Sequence, residues 1–127
     1  MASVRIKGSC MVTPAEPAWT GILPLSKWDQ TAVITHVSTI YFYKPSDDWL
    51  GRNDAMLDRI KESLSRVLVH FYPVAGRIRR LPKGRLELDC NASGVELIEA
   101  ESDAQLADFG DFSSSTKLFK NLIPRGL

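Results

Sequence analysis

Asn53-Asp-Ala-Met-Leu-Asp-Arg-Ile-Lys-Glu-Ser-Leu-Ser-Arg-Val-Leu-Val-His70, running straight into Phe71-Tyr-Pro-Val-Ala-Gly-Arg77, decides the reading of the fold. Its apolar residues fall at Met56, Leu57, Ile60, Leu64, Val67, Leu68 and Phe71, a three-and-four spacing that lines one face of an α-helix. Arg59, Lys61, Glu62 and Arg66 decorate the other face. Asn53 suits the N-cap, and Pro73 with Gly76 ends the helix. The apolar residues after the proline return the chain to a core as a strand, so the expectation is a helix packed on a sheet.

Downstream, Ile78–Leu81, Pro82-Lys83-Gly84 and Arg85–Cys90 read as strand, turn and strand. Leu86, Leu88 and Cys90 face one way and Arg85, Glu87 and Asp89 the other, the alternation of a half-exposed antiparallel hairpin. Asn91-Ala92-Ser93-Gly94 turns again, Val95–Ala100 adds a third strand, and Glu96, Glu99, Glu101 and Asp103 make that end acidic. Ala104, Leu106, Ala107 and Phe109 fit a short helix capped by Ser102 or Asp103, with a serine loop at 113–115 after it.

Upstream, Ala32–Lys44 is dense in β-branched and aromatic residues, and both of its alternate sets contain apolar members, the pattern of a strand covered on both faces. A face carrying Thr35, Thr39 and Tyr41 suits a pocket wall, and it suits a core with satisfied hydroxyls equally. His36 lies in the same block and is read as a hydrogen-bonded structural histidine. Pro45–Arg52 is a polar turn whose Asp47 and Asp48 lack the ligand pattern of a calcium loop. In Leu25–Gln30, Ser26 caps a helical turn, and Asp29 is an architectural carboxylate whose partner comes from elsewhere. Thr13–Pro24 holds Pro14, Pro17, Gly21 and Pro24 and is expected to be a surface loop pinned by Trp19. Val4, Ile6, Cys10 and Val12 alternate as an edge strand.

With 127 residues, 44% of them apolar and 24% charged, the chain fits one soluble domain with a single core. A net charge of +1, with Arg77, Arg79 and Arg80 flanking a turn, excludes an electrostatic nucleic-acid binder. Cys10 and Cys90 have no metal-ligand spacing and no secretory segment precedes them, which reads as two reduced thiols in the cytosol. No run of residues suits a membrane span. No metal site, phosphate-binding loop, Gly-x-Ser-x-Gly elbow or Cys–His pairing stands out, so no catalytic residue is assigned. His70 ends the central helix, where it meets the helix dipole.

Positions 63–77, Ser-Leu-Ser-Arg-Val-Leu-Val-His-Phe-Tyr-Pro-Val-Ala-Gly-Arg, resemble the signature helix and turn of the plant BAHD acyltransferases. Leu-Ser-Lys-Trp-Asp-Gln at 25–30 resembles the family's Leu-Ser-x-x-Asp motif, and 86–100 its hairpin. The resemblance implies an α/β (α+β) mixed sheet with packed helices, residues 1–127 forming an incomplete N-terminal lobe of the two-domain chloramphenicol-acetyltransferase-like fold. It implies transfer of a hydroxycinnamoyl group from acyl-coenzyme A, a co-substrate and not a bound cofactor, to an amine or hydroxyl acceptor. By motif position, Thr39 and Tyr41 fall at the acceptor end of the channel and His36 near its mouth. Met11–Pro17 and His36–Tyr43 are most similar to spermidine hydroxycinnamoyl transferases, with shikimate and quinate transferases next.

The family's His-x-x-x-Asp base motif and Asp-Phe-Gly-Trp-Gly motif are not in the chain: Ile40 follows His36 by four residues and Val74 follows His70. Asp108-Phe109-Gly110 begins like the second motif and is read as coincidence. The resemblance therefore implies an enzyme fragment that needs the C-terminal part of the enzyme as its partner. The alternative is a truncated, non-catalytic binding protein of the same ancestry, exposing apolar surface at a broken sheet edge.

Overall fold

The computed structural model describes residues 3–32, 35–44, 46–48, 53–112 and 117–124. Val33 and Ile34, most of the Pro45–Arg52 turn, the Asn53 side chain and the 113–115 loop lie outside the described residues. The mixed α/β class expected from the sequence is observed, with β1 Val4–Val12, β2 Gly21–Pro24, α1 Lys27–Thr31, α2 Asn53–His70, β3 Arg77–Arg80, β4 Leu86–Cys90, β5 Val95–Ser102 and α3 Lys117–Leu122 in chain order. Two compact units result: Cys10–Val33 with Pro45–Leu97, and Met1–Ser9 with Ile34–Lys44 and Ile98–Leu127.

The first unit is built on α2. Leu68 is 1% exposed, and it packs with Val12 and Ala75, flanked by Cys10, Leu64, Val95 and Leu97. The helix therefore lies on the portions of β1 and β5 within this unit. A 3-10 turn at Tyr72–Ala75, with Pro73 in its first positions, then redirects the chain into β3, one turn later than a direct helix-to-strand switch. The turn delivers Ala75, fully buried, and its carbonyl accepts a hydrogen bond from Gly94 N (2.9 Å). Gly94 has φ +88°, and a Cβ there would strike the Val12 carbonyl, so only glycine fits between the two strands.

β4 is the middle strand of an antiparallel sheet of order β2-β4-β3, with Leu23, Leu88 and Ile78 side by side on one face. Arg79 meets Glu87 (3.8 Å) and Asp89 (3.6 Å) on the other. The expected β3–β4 hairpin forms, but one expectation is corrected. Thr13–Pro24 is not all loop, because Gly21–Pro24 pairs with Cys90–Glu87. Pro24 ends that edge strand, a place where its missing N–H breaks no ladder bond. The third strand expected after Asn91–Gly94 forms as β5, which pairs with β1 and not with the hairpin. Left-handed conformations at Ala92 (φ +54°) and Gly94 switch the chain from one sheet to the other.

Ser26 is the predicted N-cap of α1, its hydroxyl accepting from Asp29 N (3.2 Å). Asp29's partner is Ser26 itself and not a distant group: Oδ2 accepts from Ser26 N (2.9 Å) and Oγ (2.7 Å), closing a capping box. The next residue carries the tertiary link. Gln30 Nε2 donates to Leu86 O (2.6 Å) and Gln30 Oε1 accepts from Leu86 N (2.7 Å), so a side-chain amide continues the β4 ladder beyond Pro24. Trp19 packs at a tilt against Tyr72 with centroids 5.5 Å apart, which supplies the expected pin.

In the second unit, Arg5 meets Glu101 (2.6 Å), and Lys7 meets Glu99 (2.9 Å) and Glu101 (3.4 Å). Contacts thus recede along β5 as they advance along β1, so these strands run antiparallel. The acidic end foreseen in the sequence is matched by cations. Ser102 and Asp103 do not cap a helix: Asp103 accepts from Ser3 N (2.6 Å) and Oγ (3.1 Å), while Ser102 Oγ accepts from Ala104 N (3.1 Å). The following Leu106–Phe109 turn is instead tied by Asp108, which accepts from Gln105 N (2.7 Å).

Leu68→Ala is expected to destabilise the first unit by about 2–5 kcal/mol. Gln30→Ala, which strands two Leu86 backbone groups, is expected to cost about 1–3 kcal/mol; urea unfolding measures both. The charge row of the second unit sets a pH window. Arg5 foremost holds the Glu101 carboxyl below the usual range, and the Ser3 amide does the same for Asp103. Those contributions are full above ordinary carboxylate values and fade as pH falls through the depressed ones. Hydrogen bonding to Glu99 foremost raises Lys7, so its contribution is full below the ordinary lysine value and is lost as pH rises through the raised one. Amide-exchange protection along β1 is expected to be greatest between these limits; protection unchanged in strong acid would contradict the assignment.

Candidate functional site

Every sequence-predicted site residue lies on the segment 35–44. Among the described residues this segment joins neither sheet, which corrects the expectation of a strand covered on both faces. The physical reason is that β-branched and aromatic residues report fit to a pleated, covered surface and do not create one. The described residues supply no ladder partner for it. Side-chain alternation survives nonetheless. Ile40 and Phe42 are half-buried, whereas Thr39, Tyr41 (75% exposed) and Tyr43 (71%) point to solvent.

Phe42 holds this alternation in place. Its ring lies 5.0 Å from Phe109, 4.8 Å from Phe112 and 5.9 Å from Phe119, all centroid to centroid, and Phe109 also meets Phe119 at 5.4 Å. Tilted and edge-on arrangements of this kind add about 0.5–1.5 kcal/mol per pair beyond area burial. Asp108-Phe109-Gly110 thereby acquires a structural role, because the turn buries Phe109 in the cluster. Sequence reasoning missed the cluster, whose members are spread over Phe42–Phe119 with no common period.

Thr39 and Tyr41 therefore share one exposed side of the segment, and Tyr43 extends the row. His36 is also exposed, three residues before Thr39. The row offers hydroxyl donors and acceptors beside aromatic faces, chemistry suited to orienting a polar small molecule. It holds no carboxylate–histidine arrangement.

A second surface feature lies in the first unit. Leu25, Pro73, Val74, Gly76, Ile78 and Leu88 line an open groove of about 390 Å³, with Val74 60% and Ile78 63% exposed. α2 also departs from its predicted single stripe. Leu57, Leu64 and Leu68 form the covered seam, while Met56, Ile60, Val67 and Phe71 form an exposed apolar flank beside it. The seven apolar positions span more of the helix circumference than one contact covers.

Cys10 and Cys90 are free thiols, the first half-buried and the second buried. Burial, aided by the neighbouring Asp89 charge, pushes the Cys90 thiol up, the opposite of what a thiolate nucleophile needs. No cluster of three His, Cys, Asp or Glu side chains able to hold a metal occurs among the described residues, and none of their helices is long and apolar enough to cross a membrane.

A family model described as "Transferase family" matches residues 2–126. A hydroxycinnamoyl-CoA:piscidic acid hydroxycinnamoyltransferase of Actaea racemosa is 47% identical over 118 residues, 91% of this chain and 26% of that protein. A shikimate O-hydroxycinnamoyltransferase of Nicotiana tabacum is 40% identical, covering 95% of this chain and 27% of its own length. An anthranilate N-benzoyltransferase of Dianthus caryophyllus is 38% identical, covering 96% and 29%. The chain thus spans somewhat over a quarter of the length of these curated relatives.

With a disulfide-based thiol reagent at neutral pH, Cys10 is expected to react first and Cys90 only on unfolding. Modification of Cys90 at the rate of Cys10 in the folded chain would overturn the burial argument.

Proposed function

This chain belongs to the Transferase family, that of the BAHD acyltransferases, and from that premise we propose that it is the N-terminal part of a hydroxycinnamoyltransferase. The enzyme would move the acyl group from its coenzyme A thioester onto an amine such as spermidine, or onto a hydroxyl. The observation that supports this reading is the family match over residues 2–126 together with hydroxycinnamoyltransferase relatives, and the exposed row Thr39–Tyr41 is the part of the chain that the resemblance assigns to the acceptor. The relatives support the acyl class more closely than the acceptor, since their names cover O- and N-transfer. The coenzyme A thioester and the acceptor are the small-molecule partners, and two free thiols fit a reducing cytosolic setting.

Acyl transfer needs a base for the acceptor proton and donors for the developing oxyanion, and a positioned base alone contributes about 10²–10⁴-fold. In this reading, both come from the remaining polypeptide. The chain's part is to orient the acceptor: Tyr41 and Thr39 hydrogen-bond its polar groups so that the attacking atom meets the thioester carbonyl. A second reading, a non-catalytic binding protein, is favoured by the open apolar groove and the uncovered α2 flank.

The chain alone is expected to release no thiol from p-coumaroyl-CoA with spermidine; release above a boiled control would refute the fragment reading. Fused ahead of the remaining three quarters of the Actaea relative, it is expected to turn over. There Thr39→Ala and Tyr41→Phe should raise the acceptor KM by about 3–10-fold, the worth of one hydrogen bond each, and leave the thioester KM unchanged. Equal acceptor KM in wild type and both variants would remove the pocket role.

A further inference from the structure

The row Thr39–Tyr41–Tyr43 belongs to a segment that joins neither sheet among the described residues, yet from Thr39 to Tyr43 its side chains alternate, with Ile40 and Phe42 half-buried between exposed neighbours. Something other than a ladder must fix its register. We propose that Phe42 is a positioning residue: locked among Phe109, Phe112 and Phe119, it orients the hydroxyl row of Thr39, Tyr41 and Tyr43 as one face.

Two observations carry this. First, Phe42 touches the other three rings at once, at 4.8–5.9 Å between centroids, whereas the residues on either side of it, Tyr41 and Tyr43, are 75% and 71% exposed. In an extended chain, pinning one side chain inward directs both neighbours outward. Second, the turn that supplies two of the rings is conformationally strained. Phe112 sits at φ +60°, a left-handed conformation that costs a non-glycine residue about 1–2 kcal/mol, following Gly110 at φ +62°. Phe112 N donates to Phe109 O (3.3 Å), closing the turn so that both rings meet Phe42. A strained conformation persists where packing over-determines it, and the packing here is against Phe42. The rings of Phe109, Phe112 and Phe119 are therefore a clamp closed upon the segment, and its consequence is a one-residue register: a slip by one position would bury Tyr41 or Tyr43 and turn the row inward.

The functional meaning of the row rests on the proposed acceptor role, but the clamp is testable without it. Backbone ¹⁵N relaxation on the 127-residue chain reads it directly. In the wild type, Thr39, Tyr41 and Tyr43 are expected to have order parameters near the rigid-backbone value of about 0.85. In Phe42→Ala they should fall below about 0.6, while Tyr72, packed against Trp19 in the other unit, stays unchanged. Phe42→Leu, which keeps most of the bulk, should restore them in part. Low order parameters in the wild type, or values unmoved by Phe42→Ala, would overturn the clamp. Loss at Tyr72 together with the row would overturn it too, assigning Phe42 to general stability. In the fused enzyme, Phe42→Ala should raise the acceptor KM about tenfold or more with the thioester KM steady, the scale of a misplaced binding group. If Thr39→Ala and Tyr41→Phe leave that constant alone while the relaxation result holds, the acceptor reading fails and the clamp stands.

Discussion

Gly94 donates its amide hydrogen to the carbonyl of Ala75, and the first unit depends on that contact. It ties the end of the α2 turn to the start of β5, at a point where Ala75 is fully buried and Leu68 nearly so. Arg77 Nη1 reinforces it by donating to Gly76 O (2.8 Å) and Gly94 O (2.9 Å), which gives both carbonyls a charged donor. Gly76 lies so near the Asp89 carbonyl that a side chain there would collide with it. Two glycines and an alanine thus let three backbones approach closely, and the Pro-Val-Ala-Gly-Arg sequence is a packing device before it is anything chemical.

The elements legible in the sequence are those whose cause is local. α2 was readable because a three-and-four pattern over Met56–Phe71 reports its own helix, and the β3–β4 hairpin because Leu86, Leu88 and Cys90 alternate with charges across a Pro-Lys-Gly turn. What the pattern withheld was partnership. It could not say that β5 leaves the hairpin for β1, since the switch resides in the φ values of Ala92 and Gly94. Nor could it say that Gly21–Pro24, inside a proline-rich stretch, finds four places on β4. The Ala32–Lys44 block misled most, because its composition describes a covered strand and covering is a property of neighbours.

Of the segment that carries the candidate residues, the parity alone was legible. Thr39 and Tyr41 were placed on one side of their segment by parity alone, and the structure keeps them there, exposed. The element that holds them, Phe42 with rings drawn from Phe109–Phe119, carries no periodic signature. The motif around Ser26 and Asp29 shows the converse. Its chemistry looked open-ended because a carboxylate stood without a partner, and the partner proved to be the cap three residues before it. Local hydrogen bonding accounts for Asp29 in full, including the lowering of its carboxyl by the Ser26 hydroxyl and amide.

Gln30 makes one rung of the sheet depend on a side-chain amide. Its amide serves the Leu86 backbone at both ends, nitrogen donating and oxygen accepting, as a neighbouring strand would. Hydrolysis of that amide to a carboxylate changes neither shape nor volume, but it replaces the donor with an oxygen facing the Leu86 carbonyl. The sheet would then lose a rung to repulsion, with no alteration visible in the size of the molecule. Deamidation at this position would therefore appear as a loosening of α1 from β4.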